Sequence, residues 1–200
     1  VEYTLHLLDP TQGEHKSPEH MARHPLGKVP VIEIEGESYF ESNAICRLIA
    51  DKYAPALIGE TPGQRARVNQ WADLVTSHIG RWLQVIFFEE KLGPAFFQTE
   101  PNEEAIAEAK NFLDEQLPVI NGQLRKHEYL AGHTLTIADL IAASYFETVE
   151  HSTVELSAYP ETASWLKSIF ARDSYRKAMA VMPGGATVSY THLRAHETLE

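Results

Sequence analysis

The chain has 200 residues, 44% of them hydrophobic, with 11 glycines and 11 prolines, enough for one large or two small globular cores and unlike a low-complexity chain. Its formal net charge of −11 at pH 7 disfavours nucleic acid and anionic membranes as general partners, while still allowing an anionic ligand in a locally basic pocket. Cys46 is the one cysteine and has no disulfide partner, and neither a secretory apolar core nor a bilayer-length apolar run is present, so an intracellular, cytoplasmic setting is expected.

Glu2 to Leu8 alternates like a strand leading into Asp9-Pro10. Thr11 to Arg23 reads as a polar loop running into a short helical turn, and by composition alone His15 and Lys16 are solvated loop charges. Val29 to Ile34 is β-branched and apolar apart from Glu33, and Gly36 sits between two glutamates before Tyr39-Phe40. This pattern predicts a strand, a tight turn and an antiparallel strand. Pro30 stands at the start of the first strand, where a missing donor costs no ladder bond. With a cis bond before it, Val29 would turn its own N–H and C=O outward, an edge able to receive a peptide-like ligand by strand addition. Taken alone, Gly27-Lys28-Val29-Pro30 is an ordinary turn into an edge strand.

Ser42 is a good N-cap for a helix over Asn43 to Tyr53, with Ile45, Leu48, Ile49 and Tyr53 on one face. The first-turn N–H groups and the Ser42 hydroxyl can hold a carboxylate, and Glu41 offers a charge to a neighbouring ammonium. Both halves of an α-amino-acid clamp thus lie next to a strand edge, which suggests a γ-glutamyl peptide; the plainer reading of Glu41-Ser42 is a helix cap. Cys46 falls beside Ile45 and Ile49 and reads as a small hydrophobe rather than a nucleophile.

Ala54 to Gln64, with two prolines and two glycines, reads as a linker. From Arg65 to Leu92, Val68, Trp71, Val75, Ile79, Trp82, Leu83 and Ile86 recur at threes and fours, predicting one long helix ended by Gly93-Pro94. Tyr145, Trp82, Phe87, Phe88 and His78 could wall an apolar pocket, although aromatic residues at helical spacing are more often core; His78 reads as partly buried. A second helix begins near Asn102 and runs through Ile106, Ala109, Leu113, Leu117, Ile120 and Leu124, with a kink or break expected at Pro118. Thr136-Ile137-Ala138-Asp139 outlines a capping box, and Pro160 to Met179 predicts a last helix. Val188 to Glu200 lacks periodicity, and His192 and His196, four apart without a third ligand, are not expected to bind metal.

The run His15-Lys16-Ser17-Pro18-Glu19-His20, the turn Gly27-Lys28-Val29-Pro30 and the run Glu41-Ser42-Asn43-Ala44-Ile45 resemble, in order and spacing, a cytosolic glutathione transferase nearest the phi-like and bacterial branches. Tyr129-Leu130-Ala131-Gly132 and Thr136-Ile137-Ala138-Asp139-Leu140 extend the resemblance into the second half. It implies an α/β thioredoxin-like N-terminal domain, with its first strand and helix missing, followed by an all-α, all-helical C-terminal domain. The expected limits are 1–53 for the first domain, 54–64 for the linker placed by its prolines and glycines, 65–183 for the second domain and 184–200 for a non-native tail that resembles no part of the family. Glu2 to Leu8 then becomes the second strand of its domain, and the family's catalytic Ser, Tyr or Cys would precede Val1, so no catalytic residue is expected in this chain and the fragment is expected to be inactive.

The resemblance further implies that His15, Lys16 and Lys28 take the glycyl carboxylate of glutathione, while Val29, Glu41 and Ser42 complete the site. Pro30, Thr136 and Asp139 are structural, glutathione is the co-substrate, and no metal is required. The implied activity is conjugation of the glutathione thiolate to apolar electrophiles in detoxification, or reduction of peroxides, by a homodimer whose interface would be sought at Tyr39-Phe40 and the Arg65 to Ile79 helix. The alternatives are a non-catalytic interaction or ligand-binding module, or a glutathione-dependent isomerase, dehalogenase or thiol reductase, since one fold hosts many functions.

Overall fold

The computed structural model describes residues 2–181, so the expectations for 184–200, including His192 and His196, fall outside the described residues. The chain divides into two compact units, the first ending at Arg65 and the second starting at Ala66.

In the first unit, two 3₁₀ turns, Pro10–Gln12 and Glu14–Lys16, lead into α1, Pro18–Arg23. Ser17 starts α1 because its hydroxyl accepts the His20 N–H at 3.2 Å and Pro18 follows at the first helical position. The strands β1, Val31–Ile34, and β2, Glu37–Phe40, pair antiparallel with Val31 opposite Phe40 and Ile34 opposite Glu37. Glu35 and Gly36 have φ of 57° and 85°, the two positive values that a type I′ turn needs to match the strand twist. Helix α2, Ser42–Tyr53, packs on this hairpin, and Lys52 near its end is hydrogen-bonded to Glu35 in the turn.

Three details of this unit depart from expectation. Residues 2–8 form no strand, and Tyr3, Leu5 and Leu7 are exposed; the sheet has two strands, and an alternating segment without a ladder partner has nothing to hold it as a strand. Glu41, not Ser42, takes the cap position of α2, its carbonyl accepting the Ile45 N–H at 2.9 Å. On α2, Ile45 is buried but Ile49 and Tyr53 are exposed, because a two-stranded hairpin covers only a narrow stripe of the helix.

From Ala66 onward the second unit is built around a continuous rod made of α3, Pro62–Leu74, whose first turn precedes the unit boundary, a π segment Val75–Ile79, α4, Gly80–Phe87, and a second π segment Phe88–Phe97. The helix therefore starts inside the expected linker. Thr61 and Gln64 form a reciprocal capping box, with the Gln64 N–H on the Thr61 hydroxyl at 3.2 Å and the Thr61 N–H on the Gln64 side-chain oxygen at 2.9 Å. The rod also outruns Gly93-Pro94. The proline cannot sustain α-helical bonding, and the chain answers by widening into i→i+5 turns instead of leaving the helix.

Val68, Trp71, Val75, Ile79, Leu83 and Ile86 of the rod are buried, where α4 packs on α5, Glu103–Leu124, and on α6, Ile137–Phe146. Asn102 caps α5, accepting the Ala105 N–H at 3.1 Å. Pro118 does not break α5; it and Asp114 are exposed, so water can take the carbonyl that the proline leaves without a donor. Helix α7, Pro160–Phe170, packs on α5 and α6, and α8, Asp173–Val181, follows it. Phe146, Leu117, Ile120, Leu130 and Trp165 complete the core.

Candidate ligand-binding site

Lys28 and Val29 come just before β1, and Glu41 and Ser42 come just after β2. The ladder ends at the Val31–Phe40 pair, with Lys28 to Pro30 leading into β1 and Glu41 leading out of β2 into α2. The Val29–Pro30 bond is cis, and Val29 is 65% exposed. Glu41 has φ 66° and ψ 111°, an uncommon conformation for a residue with a Cβ, of the kind that clusters at ligand sites. Glu41 and Ser42 are both exposed, and the N-terminal N–H groups of α2 carry the partial positive charge of the helix dipole beside them.

The other half of the site is the loop before β1. Gly27 is buried with φ 57°, and a Cβ there would stand 2.5 Å from the His15 carbonyl oxygen. Only glycine lets the Glu14–Lys16 turn lie against this loop. Lys16 Nζ donates to the Leu26 carbonyl at 2.6 Å. His15 is half-buried, and its Nδ1 is enclosed without a hydrogen-bond partner. Lys28 is exposed. The turn thus holds His15 and Lys16 against the loop that leads through Lys28 and Val29 into β1.

Two buried residues of this region escaped the sequence reading. His20, 5% exposed, donates from Nε2 to the Lys28 carbonyl at 2.9 Å. His24, 3% exposed, accepts the Leu26 N–H on Nδ1 at 3.1 Å and lies 4.9 Å from the Phe40 ring. Their four-residue spacing just before a glycine turn was the available signal, hidden by treating α1 as a polar turn.

In the second unit, the Asp139 carboxylate accepts from Thr136 N–H at 3.0 Å, the Thr136 hydroxyl at 3.1 Å, Leu130 N–H at 2.8 Å and Trp165 Nε1 at 3.1 Å. Burial pushes its carboxyl up from the ordinary range, and those hydrogen bonds, which favour the charged form, oppose the rise. Trp82 stacks on Phe112 at 4.3 Å, Tyr145 lies on Gly80, and Phe88 is exposed beside Phe97. His78 is exposed rather than partly buried, since it falls on the outer face of the first π segment. Burial pushes the Cys46 thiol up, with Arg47 pulling it back, the opposite of what a thiolate nucleophile requires. Among the described residues, no group of three or more His, Cys, Asp or Glu is placed to hold a metal ion.

Comparison with known proteins bears on both units. Residues 1–51 match the model of the glutathione S-transferase N-terminal domain, and residues 71–173 match that of the C-terminal domain. A probable glutathione S-transferase of Oryza sativa subsp. japonica is 32% identical, over 91% of this chain and 86% of its own length. Glutathione S-transferase 1 of Zea mays is also 32% identical, over 92% and 87%. Among solved structures, glutathione S-transferase-I bound with lactoylglutathione superposes with a TM-score of 0.84 at 31% identity, covering 90% of this chain and 87% of that one. The maize enzyme in complex with an atrazine glutathione conjugate gives 0.85 at 30% identity, covering 92% and 87%. With a thioredoxin-like first half and a helical second half that both match, this chain belongs to the glutathione S-transferase family.

Proposed function

We propose that this chain binds glutathione at the open end of its hairpin and serves a transferase that joins the glutathione thiolate to apolar electrophiles or uses it to reduce peroxides. The observation that carries the reading is the juxtaposition of an exposed Val29 edge with Glu41 at positive φ and the N-terminus of α2. The γ-glutamyl ammonium pairs with Glu41. Its carboxylate lies on the Ser42 hydroxyl and the first-turn N–H groups, and the Val29 backbone pairs with the cysteinyl unit as an added strand would. The glycyl carboxylate goes to His15, Lys16 and Lys28. Lys16 keeps two of its three donors for this role after binding Leu26.

Held this way, the tripeptide presents its sulfur at a fixed place, where loss of the thiol proton gives the nucleophile. The sulfur then forms a bond to the electrophilic atom while the leaving group departs with its electron pair. A free thiol with a pKa near 8.5 is mostly protonated at neutral pH, so activation consists in favouring the thiolate. None of the described residues is assigned that activation; the role proposed for them is binding and orientation. An apolar electrophile suits the reading because a structural relative was solved with an atrazine glutathione conjugate. A homodimer in the cytoplasm, acting in detoxification, is part of the same proposal.

Thermal unfolding with and without glutathione tests the reading. At about 100 times its dissociation constant, the ligand should stabilise the chain by roughly 2.7 kcal/mol. We expect the shift in the parent to shrink in Glu41→Ala and in Ser42→Ala. A well-folded parent whose melting temperature ignores glutathione would sink the reading and favour a non-catalytic module.

A further inference from the structure

We propose that His20 is a positioning residue of the glutathione site, acting through the Lys28–Val29 peptide group; the inference rests on the glutathione reading above. His20 is 5% exposed in α1 and donates from Nε2 to the Lys28 carbonyl at 2.9 Å. That carbonyl belongs to the same planar unit as the Val29 N–H. In a trans peptide the C=O and N–H point in opposite directions. Drawing the Lys28 oxygen inward onto a buried ring therefore aims the Val29 N–H outward, toward the edge where a peptide ligand would add as a strand. Val29 is followed by a proline, which has no donor of its own, so its N–H is the one amide donor of this two-residue edge.

The surrounding contacts make His20 part of a frame. The Leu26 N–H goes to His24 Nδ1 at 3.1 Å, the Gly27 N–H to the His24 carbonyl at 2.8 Å, and the Leu26 carbonyl to Lys16 Nζ at 2.6 Å. His20 lies within α1, His24 is the extended residue that follows its last turn and donates its N–H to the His20 carbonyl at 2.9 Å, and Ser17 fixes where that helix starts. Among these contacts only the His20 bond fixes the peptide plane that would face the ligand, while the others place the loop that carries it.

The test measures glutathione affinity by calorimetry on the full chain, at a temperature where circular dichroism shows each variant folded. His20→Phe keeps the ring and removes the donor; His20→Gln restores an amide N–H near the position of Nε2. We expect His20→Phe to weaken binding by roughly tenfold, the loss of one well-aimed hydrogen bond, and His20→Gln to remain within about threefold of the parent. Should the phenylalanine variant not fold, His20→Asn, whose amide stops short of the carbonyl, supplies the donor-less comparison. Parent-like affinity in the folded donor-less variant overturns the role of His20 and leaves the site standing, as does a folded His20→Gln that binds no better than that variant. A folded parent that binds no glutathione overturns the site itself and this role with it.

Discussion

Asp139 combines full burial with four donated hydrogen bonds, two from its own helix start and two from Leu130 and Trp165. Removing it strands the Leu130 N–H and the Trp165 Nε1 in the core, at about 1–3 kcal/mol for each unsatisfied group. Asp139→Ala should therefore cost on the order of 3 kcal/mol or more in urea unfolding, against about 1 kcal/mol for an ordinary lost cap. Thr136→Ala lies between the two, because its hydroxyl also donates to Asp139. The pH dependence follows from the direction in which burial moves this carboxyl. With a folded-state pKa above the ordinary 3.8, the folded chain holds the proton more tightly than the unfolded one. The stabilising contribution is complete below 3.8 and is lost as pH rises through the raised value. Relative to Asp139→Asn, the parent should lose stability as pH rises through the window just above 3.8, read as the difference between their urea midpoints. The Thr136–Asp139 pair was legible as a local spacing; the Leu130 and Trp165 donors, nine and 26 positions away, were not.

Helix starts in this protein are secured in two ways. Helix α3 uses its own Thr61 and Gln64, a signal written in the sequence and overlooked because Pro62 and Gly63 made the stretch look like linker. Helix α7 has Tyr159 at its cap position without a side-chain bond and borrows Asn121 of α5 instead. The Asn121 side-chain oxygen accepts the Glu161 and Thr162 N–H groups, each at 3.1 Å, and its amide donates to the Glu161 carboxylate at 2.6 Å. Asn121→Ala removes a cap and an inter-helix link from a buried position, and should cost about 2 kcal/mol, whereas Thr61→Ala at an exposed start should cost about 1 kcal/mol. Equal losses in chemical denaturation would mean that the borrowed cap adds nothing to helix docking. Within the rod, hydrophobic spacing located the buried face but not the π segments, since a one-residue widening leaves the apolar pattern nearly unchanged.

For the whole molecule, the proposed homodimer is the property that sedimentation decides. A dimer of 22.5 kDa chains should sediment at about 45 kDa, as a closed two-fold assembly, and a single-chain mass at micromolar concentration would remove it. Amino-acid order was enough for the division into an α/β part and a helical part, the hairpin with its turn, and the starts of α5 and α6. Each of these depends on residues within a few positions of one another, where steric and capping rules operate. It also determined the run of residues that marks the family. Packing between separate segments determines that Glu2 to Leu8 pairs with nothing described, that Pro94 widens the rod instead of ending it, and that His20 and Asn121 hold backbone groups of other segments. Those outcomes rest on which surfaces meet, and the decisive partners lie up to 41 positions apart, beyond the reach of any local pattern.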